Sequence, residues 1–181
     1  MIRVIFSLTA AILMVVVLSG CGGGQKTPSD IKDTVAWLDG RSALPVFPFG
    51  TNPLYIFVHS DRSPVCSSMI RLVFSRPEII EYMNKHLTSI SVKPEGIGTV
   101  EFMGQELTSA DLIRILKVQG YPAHYFFNSA GELKGFRMGY IPLKEFKQLL
   151  KYMVEGYVEK FNFQTFLQME ESRLDTVYGE F

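Results

Sequence analysis

The pattern of apolar and polar residues along the chain predicts a mixture of strands and helices. Apolar runs typical of buried strands occur at 54–58 and 123–127, and further strands are predicted at 87–92 and about 133–138. Between and after these strands, apolar residues recur every three or four positions, as on the buried face of a helix. The predicted order is helix, strand, helix pair, strand, helix, strand, strand, helix, which indicates an α/β fold.

Capping patterns mark where several of these helices begin. Ser75-Arg76-Pro77-Glu78 has a capping residue, an early proline and a following glutamate, so it predicts a helix that continues to about His86. Thr108-Ser109-Ala110-Asp111 predicts another helix that ends near Gly120. Its inward residues are expected to be Leu112, Ile115, Leu116 and Val118. Residues 99–104 are predicted to form a short surface hairpin.

The two flanks of this pattern predict additional packed segments. Residues 30–52 are predicted to form a short helix, capped by Ser29 or Asp30, followed by a proline-broken loop packed on the core. The apolar side of that helix would carry Ile31, Val35 and Leu38, with Trp37 packed beside it. Residues 156–181 are predicted to form a helical extension that covers the body of the domain with a stripe of Phe163, Phe166, Leu167 and Leu174.

The first 20 residues have the organisation of a secretory signal. Arg3 precedes an apolar run from Val4 to Leu18, and the small residues Ser19 and Gly20 follow. This run is short for a permanent membrane span, although an uncleaved anchor is the alternative interpretation. Residues 1–20 are therefore left out of the fold prediction, and the rest of the chain is expected to lie outside the cytoplasm.

Leu18-Ser19-Gly20-Cys21 resembles the lipobox of bacterial lipoproteins. The resemblance implies cleavage before Cys21, a lipid on that residue, and a location on the periplasmic side of a bacterial membrane. Residues 21–29 would then be a flexible tether. Gly22 stands where some bacteria place an aspartate to retain lipoproteins in the inner membrane, which favours the outer membrane.

Charge excludes some classes of partner. Loss of residues 1–20 removes Arg3 and leaves 17 basic and 18 acidic residues, a net charge of −1. The chain has no basic excess of the kind that binds nucleic acid, so no nucleic-acid partner is predicted. If Cys21 carries lipid, Cys66 is the remaining thiol and no disulfide can form within the chain. Neither a cofactor nor a metal is predicted.

Candidate chemistry is concentrated after the first apolar strand. The run 54–58 ends at Ser60 and Asp61, and a helix is predicted to begin at about Pro64. Cys66 then lies in the first turn of that helix, where free amide groups and the helix dipole favour a thiolate over a thiol. A cysteine at this place is the principal candidate for sulfur chemistry.

This strand, loop, Ser-Pro-Val-Cys segment and helix resemble the active-site corner of the thioredoxin fold. The resemblance covers residues 53–155 and extends to extracytoplasmic thioredoxin-like proteins of the SoxW type, on the stretch Gly104-Gln105-Glu106-Leu107-Thr108. It implies a central mixed sheet of about four strands flanked by helices. It also implies that Pro122, which opens the strand 123–127, is cis and lies against the corner, where an ordinary trans proline is the alternative.

The same resemblance exposes departures from the family pattern. Ser63 stands where the attacking cysteine is expected, and oxygen cannot form a disulfide. Phe57 occupies the usual place of a buried acid that assists proton transfer. Arg62 replaces an aromatic residue, and its charge either stabilises a nearby thiolate or is simply solvated. The resemblance therefore implies a relative of thiol-disulfide oxidoreductases whose dithiol activity is lost, or reduced to a single-thiol role of Cys66.

Three functional hypotheses follow. In the first, Cys66 and the degenerate position Ser63 form a catalytic remnant that reacts with a periplasmic protein or another thiol partner, unless Cys66 is simply a small buried apolar residue. In the second, a groove formed by Pro64, Val65, Tyr121 and Pro122 binds an extended peptide without sulfur chemistry. In the third, Cys66 with His59 and His124 carries copper or zinc, although the paired cysteines of such carriers are absent.

Overall fold

The computed structural model describes residues 34–38, 51–96, 99–102 and 104–178, without the side chains of 100, 101 and 174–178. All of them belong to the unit from Ile31 to Phe181. The predicted signal, lipidation site and tether at 1–29 lie outside the described residues and stay predictions.

Seven strands and five α-helices make up the described structure. The strands are β1 (Trp37–Leu38), β2 (Leu54–Val58), β3 (Thr88–Val92), β4 (Thr99–Phe102), β5 (Gln105–Thr108), β6 (Ala123–Phe127) and β7 (Leu133–Met138). The α-helices are α1 (Pro64–Met69), α2 (Pro77–His86), α3 (Ser109–Ile115), α4 (Leu143–Val154) and α5 (Phe163–Tyr178). A π-helical turn (Ile70–Phe74) joins α1 to α2, and a 3-10 turn (Tyr157–Glu159) follows α4.

The central sheet is mixed and has the strand order β1-β3-β2-β6-β7. Strand β2 runs parallel to β3 and antiparallel to β6, so it has a neighbour on each side, and all five of its residues are buried. Strand β7 pairs antiparallel with β6 and forms one edge. The predicted fold class, a mixed sheet flanked by helices with an additional C-terminal helix, is confirmed.

The prediction of a helix around Trp37 is wrong for residues 34–38, which are the described part of this segment. Trp37–Leu38 is a strand that pairs in parallel with β3 and adds a fifth strand to the predicted four. Asn84 on α2 supports this segment, because its side chain accepts from the Ala36 amide at 2.6 Å and donates to the Thr34 carbonyl at 3.1 Å. The predicted packing of Trp37 is confirmed, since its ring lies 5.2 Å from that of Phe74. Residues 31–33 and 39–50 lie outside the described residues.

The core has two layers, one on each face of the sheet. Alternate residues of β2 divide between them: Tyr55 and Phe57 pack with α1, α2, α4 and α5, whereas Leu54, Ile56 and Val58 pack with α3. Because successive side chains of a strand point to opposite faces, a continuous apolar run is what a strand covered on both faces requires.

Of two predicted helix starts, the α2 start has a different capping residue and the α3 start forms as predicted. Helix α2 begins at Pro77 as predicted, but Arg76 is the capping residue, and the Ser75 hydroxyl donates instead to the Arg71 carbonyl at 2.6 Å. Helix α3 begins with the predicted capping box, in which Thr108 and Asp111 each accept from the other's amide. The predicted hairpin of β4 and β5 is confirmed.

Helix α3 is shorter than its predicted apolar pattern. It ends at Ile115, whose side chain is 48% exposed, so the prediction that Ile115 faces inward is wrong. Leu112 is fully buried, and Leu116 and Val118 pack against the same core layer.

The C-terminal helix is part of the core. Phe166 on α5 is 1% exposed, and its ring lies 5.3 Å from that of Tyr152 on α4. Lys151 and Glu170 join the two helices through an ion pair of 2.8 Å. The predicted covering role of this apolar stripe is therefore confirmed for Phe163, Phe166 and Leu167, whereas the Leu174 side chain lies outside the described residues. No described helix is both long and apolar enough to cross a membrane.

Candidate functional site

The corner between β2 and α1 is organised by Ser63. Its backbone is extended, and its hydroxyl oxygen accepts a hydrogen bond from the Cys66 amide at 3.3 Å, which makes it the N-cap of α1. The Ser63 carbonyl also accepts from the Ser67 amide at 3.1 Å. Serine is among the preferred residues at this position because its oxygen satisfies an amide that has no partner within the helix. Residue 63 therefore has a structural function in this chain.

Cys66 occupies the first turn of α1, as the sequence predicts. It is a free thiol and only 1% of it is exposed. A thiol in this environment packs like a small apolar side chain, and its sulfur is not accessible to an external disulfide without movement of the surrounding residues. This burial agrees with the packing interpretation of Cys66.

The Tyr121-Pro122 bond is cis, which confirms the prediction for Pro122. Val58 pairs with Ala123 across the β2–β6 ladder, so Pro122 lies at the sheet end where β2 leads into the corner. The Pro122 carbonyl accepts from the Gly139 amide at 2.7 Å. The fold thus brings the two predicted parts of the site to the same end of the sheet.

The exposed surface of this site is formed by few side chains. Pro64 is exposed, Val65 is 43% exposed, and Tyr121 is half-buried, whereas Pro122 is buried. Among the hydrogen bonds between described residues, none involves the backbone of Tyr121. The corner therefore presents an apolar surface beside a backbone segment that has no hydrogen-bond partner among the described residues.

His124 is a buried residue of β6 that helps to hold the site in place. The sequence did not predict this role. It is fully buried, its Nδ1 lies 2.6 Å from the Tyr55 hydroxyl, and its Nε2 lies 3.0 Å from the Gly139 carbonyl. A carbonyl only accepts, so Nε2 carries the proton and Nδ1 accepts from Tyr55. Burial lowers the pKa of His124 to about 4. A neutral histidine therefore connects β2, β6 and the Gly139 turn.

The loop before Ser63 is attached to the end of β3. The His59 amide donates to the Val92 carbonyl at 2.9 Å, and the Ser60 hydroxyl donates to Glu95 at 2.7 Å. Lys93 and Asp61 form an ion pair of 2.9 Å. Burial and, secondarily, the Lys93 charge lower the pKa of His59 to about 4. These contacts hold the loop in place while leaving Arg62 on the surface.

Phe57 occupies the position where the resemblance to the thioredoxin fold implies a buried acid, and it is 1% exposed. Its ring lies 4.6 Å from that of His59 and 5.4 Å from that of His124. Phe57 has no proton to transfer, and both nitrogens of His124 are already hydrogen-bonded. Neither Phe57 nor His124 is therefore placed to assist a proton transfer at the corner.

The proposed metal ligands do not form a cluster. Within the described part of the chain there is no group of three or more histidine, cysteine or acidic residues suited to a metal ion. The lone pair on Nδ1 of His124 is used by Tyr55, and Nε2 of His59 lies 2.8 Å from the Ser91 hydroxyl. His124 is therefore a structural residue in this conformation, whereas Nδ1 of His59 is buried and has no hydrogen-bond partner among the described residues.

Comparisons with known proteins agree with this architecture. The family model of a thioredoxin-like domain matches residues 43–154. A thioredoxin-fold protein from Helicobacter pylori is similar in structure, with a TM-score of 0.61 and 12% identity over 80% of this chain and 96% of that chain. A protein described as DsbH Oxidoreductase has a TM-score of 0.54 and 20% identity over 76% and 95% of the two chains. At these identities the likeness shows a shared fold. No curated protein matches the sequence.

Proposed function

Because this chain belongs to the thioredoxin-like domain family, we propose that it is a lipid-anchored periplasmic protein, of the SoxW type and related to thiol-disulfide oxidoreductases, that binds a partner segment without a dithiol cycle. The observation that carries the proposal is the Ser63 hydroxyl, which caps α1 on the Cys66 amide. The surface beside it remains available for binding.

A dithiol cycle requires two sulfur atoms. The first thiolate attacks the substrate disulfide, forms a mixed disulfide and releases one substrate thiolate. The second thiolate then attacks the mixed disulfide, releases the other substrate thiolate and leaves an internal disulfide. Ser63 cannot take the first step, because its oxygen forms no such bond. Cys66 is 1% exposed, which also disfavours a single-thiol role.

Peptide binding needs only the apolar side chains and the backbone groups of the corner, and no sulfur atom. Val65 and Pro64 offer an apolar contact, and the Tyr121 backbone, which has no hydrogen bond to another described residue, offers an amide donor and a carbonyl acceptor to an extended segment. Main-chain hydrogen bonds of this kind provide affinity, while neighbouring side chains provide specificity. The expected ligand is an extended segment of a periplasmic protein.

The membrane anchor rests on the sequence of the first 21 residues. A charged residue, an apolar run, small residues and Cys21 follow in the order of a lipoprotein signal. Lipid on Cys21 with the tether 22–29 would place the domain close to the membrane surface. Labelling with radioactive palmitate tests this part of the proposal, and it is contradicted if a Cys21→Ser variant retains the label.

Reduction of insulin by dithiothreitol tests the absence of a dithiol cycle. The wild-type chain is expected to remain near the uncatalysed rate, and Ser63→Cys is expected to gain turnover because it places a second sulfur beside the Cys66 amide. Ser67→Cys is the matched control, since it adds a thiol to the same helix outside the capping position, and it should gain no turnover. Wild-type turnover comparable with that of a dithiol thioredoxin would contradict the proposal.

Accessibility of the thiol separates binding from single-thiol chemistry. Alkylation of the native protein, mapped by mass spectrometry, should modify Cys66 far more slowly than in the unfolded chain. Partner capture should persist in Cys66→Ala. Rapid native alkylation, together with capture through a reducible cross-link that Cys66→Ala abolishes, would instead establish the single-thiol role.

A further inference from the structure

The outer side of α1 contains a concavity next to the peptide-binding corner. Pro64, Ser67, Ser68 and Arg71 recur at helical spacing along this side, and Arg62 approaches from the preceding loop. The concavity is shallow and open to solvent, with a volume of about 710 Å³, so it can contact side chains of an extended peptide without enclosing them. Pro64 belongs both to the concavity and to the corner, so the two surfaces are continuous.

The charge of this surface is unbalanced. Arg62 and Arg71 are both exposed, and within the described part of the chain no carboxylate forms an ion pair with either guanidinium. Asp61 also lines the concavity, but its carboxylate is paired with Lys93 at 2.9 Å. Glu95, near Arg62, accepts from the Ser60 hydroxyl. Both arginines therefore line the concavity without an ion pair to a described carboxylate, although the Arg62 charge also acts on Glu95.

We infer that this concavity binds a carboxylate side chain of the partner segment, so that the preferred ligand is an extended acidic peptide. This inference rests on the proposed function and names its ligand class. An arginine presents a planar set of donors that matches a carboxylate, and two of them on one surface can hold either one carboxylate or two successive acidic residues. The Ser68 hydroxyl lines the same surface and is an additional donor, whereas the Ser67 hydroxyl already donates to the Ser63 carbonyl at 3.4 Å.

The neighbouring acids favour a peptide over an anionic membrane surface. Asp61 has a side chain that is 64% exposed, and Glu95 is exposed on the next loop. A flat layer of anionic headgroups would meet these two carboxylates as well as the arginines and would be repelled by them. A single acidic side chain contacts a much smaller area, and the one acid that lines the concavity, Asp61, is already paired with Lys93.

Fluorescence anisotropy with short labelled peptides tests the inference on the full-length chain in detergent. One peptide alternates valine with glutamate, and its matched control carries glutamine instead of glutamate. The wild-type protein is expected to bind the acidic peptide roughly threefold to tenfold more tightly than the glutamine peptide, since exposed ion pairs are individually weak. This preference should shrink as salt is added.

Two pairs of substitutions test whether the preference for the acidic peptide arises from Arg62 and Arg71. Arg62→Gln with Arg71→Gln should abolish the preference for the acidic peptide, whereas Arg76→Gln with Arg114→Gln removes the same charge elsewhere and should preserve it. Equal binding of both peptides by the wild type would overturn the inference and leave the proposed function standing. Binding of neither peptide would overturn both. A third outcome is that the wild-type protein binds vesicles of anionic lipid but neither peptide, and that Arg62→Gln with Arg71→Gln abolishes the binding to vesicles. In that case the surface is a membrane contact and the inference is wrong.

Discussion

The buried histidine beneath the site predicts a specific dependence of stability on pH. His124 is fully buried, and its two nitrogens are engaged by the Tyr55 hydroxyl and the Gly139 carbonyl. Neither partner is a carboxylate, so a positive charge on the ring would have no counter-ion among its hydrogen-bond partners. The perturbation that tests this is His124→Gln, which replaces the ring by an amide that can still donate and accept but does not titrate.

The magnitude follows from the lowered pKa of His124. Burial lowers it from 6.5 to about 4. As pH falls below 6.5, His124 takes up a proton in the unfolded chain but stays neutral in the folded protein. The free energy of unfolding therefore decreases down to about pH 4, and below that pH this histidine causes no further change. Each pKa unit corresponds to about 1.4 kcal/mol, so this histidine alone accounts for a loss of about 3 kcal/mol across that range.

Urea denaturation at a series of pH values measures the effect. The difference in unfolding free energy between the wild type and His124→Gln should shift by about 3 kcal/mol in favour of the variant between neutral pH and pH 4. His59 and the carboxylates titrate in both proteins, so their contributions cancel in this difference. Parallel pH profiles of the two proteins would refute the reasoning, because they would show that His124 does not titrate differently on unfolding.

Two further predictions concern residues that hold the fold around the site. Ser63→Ala removes the hydroxyl that caps α1 on the Cys66 amide, and urea denaturation should show a loss of about 1 kcal/mol, which Ser63→Asp should largely avoid. An unchanged stability of Ser63→Ala would mean that the cap contributes nothing. Phe166→Ala empties a site that is 1% exposed and should cost about 3–4 kcal/mol, whereas Phe161→Ala, at a residue that is 37% exposed, should cost less than about 1 kcal/mol. Equal costs at both positions would show that α5 does not belong to the core.

Local sequence was informative where structure depends on neighbouring residues. The capping box of Thr108 and Asp111 is formed as predicted, because both hydrogen bonds join residues three positions apart. The apolar run of β2 identified a strand that is covered on both faces. The prediction for α1 placed Cys66 in the first helical turn, which the structure confirms.

Prediction from local sequence failed where the structure or role of a residue depends on contacts with residues far away along the chain. Trp37–Leu38 is a strand because Ser89 and Ile90 pair with it, about fifty positions along the chain. The role of His124 depends on Tyr55, 69 positions away, and on Gly139, 15 positions away. No periodicity in a short segment carries this information.

The sequence by itself determined the order of the elements from β2 onward, the place of the corner and the absence of a second sulfur from it. Hydrophobic periodicity, capping residues and the identity of residue 63 are properties of short segments, and they do not change when the chain folds. Only the tertiary structure decided that Cys66 is buried and that Arg62 and Arg71 share one surface. Exposure and proximity are set by which distant segments pack together, so they exist only once the core has formed.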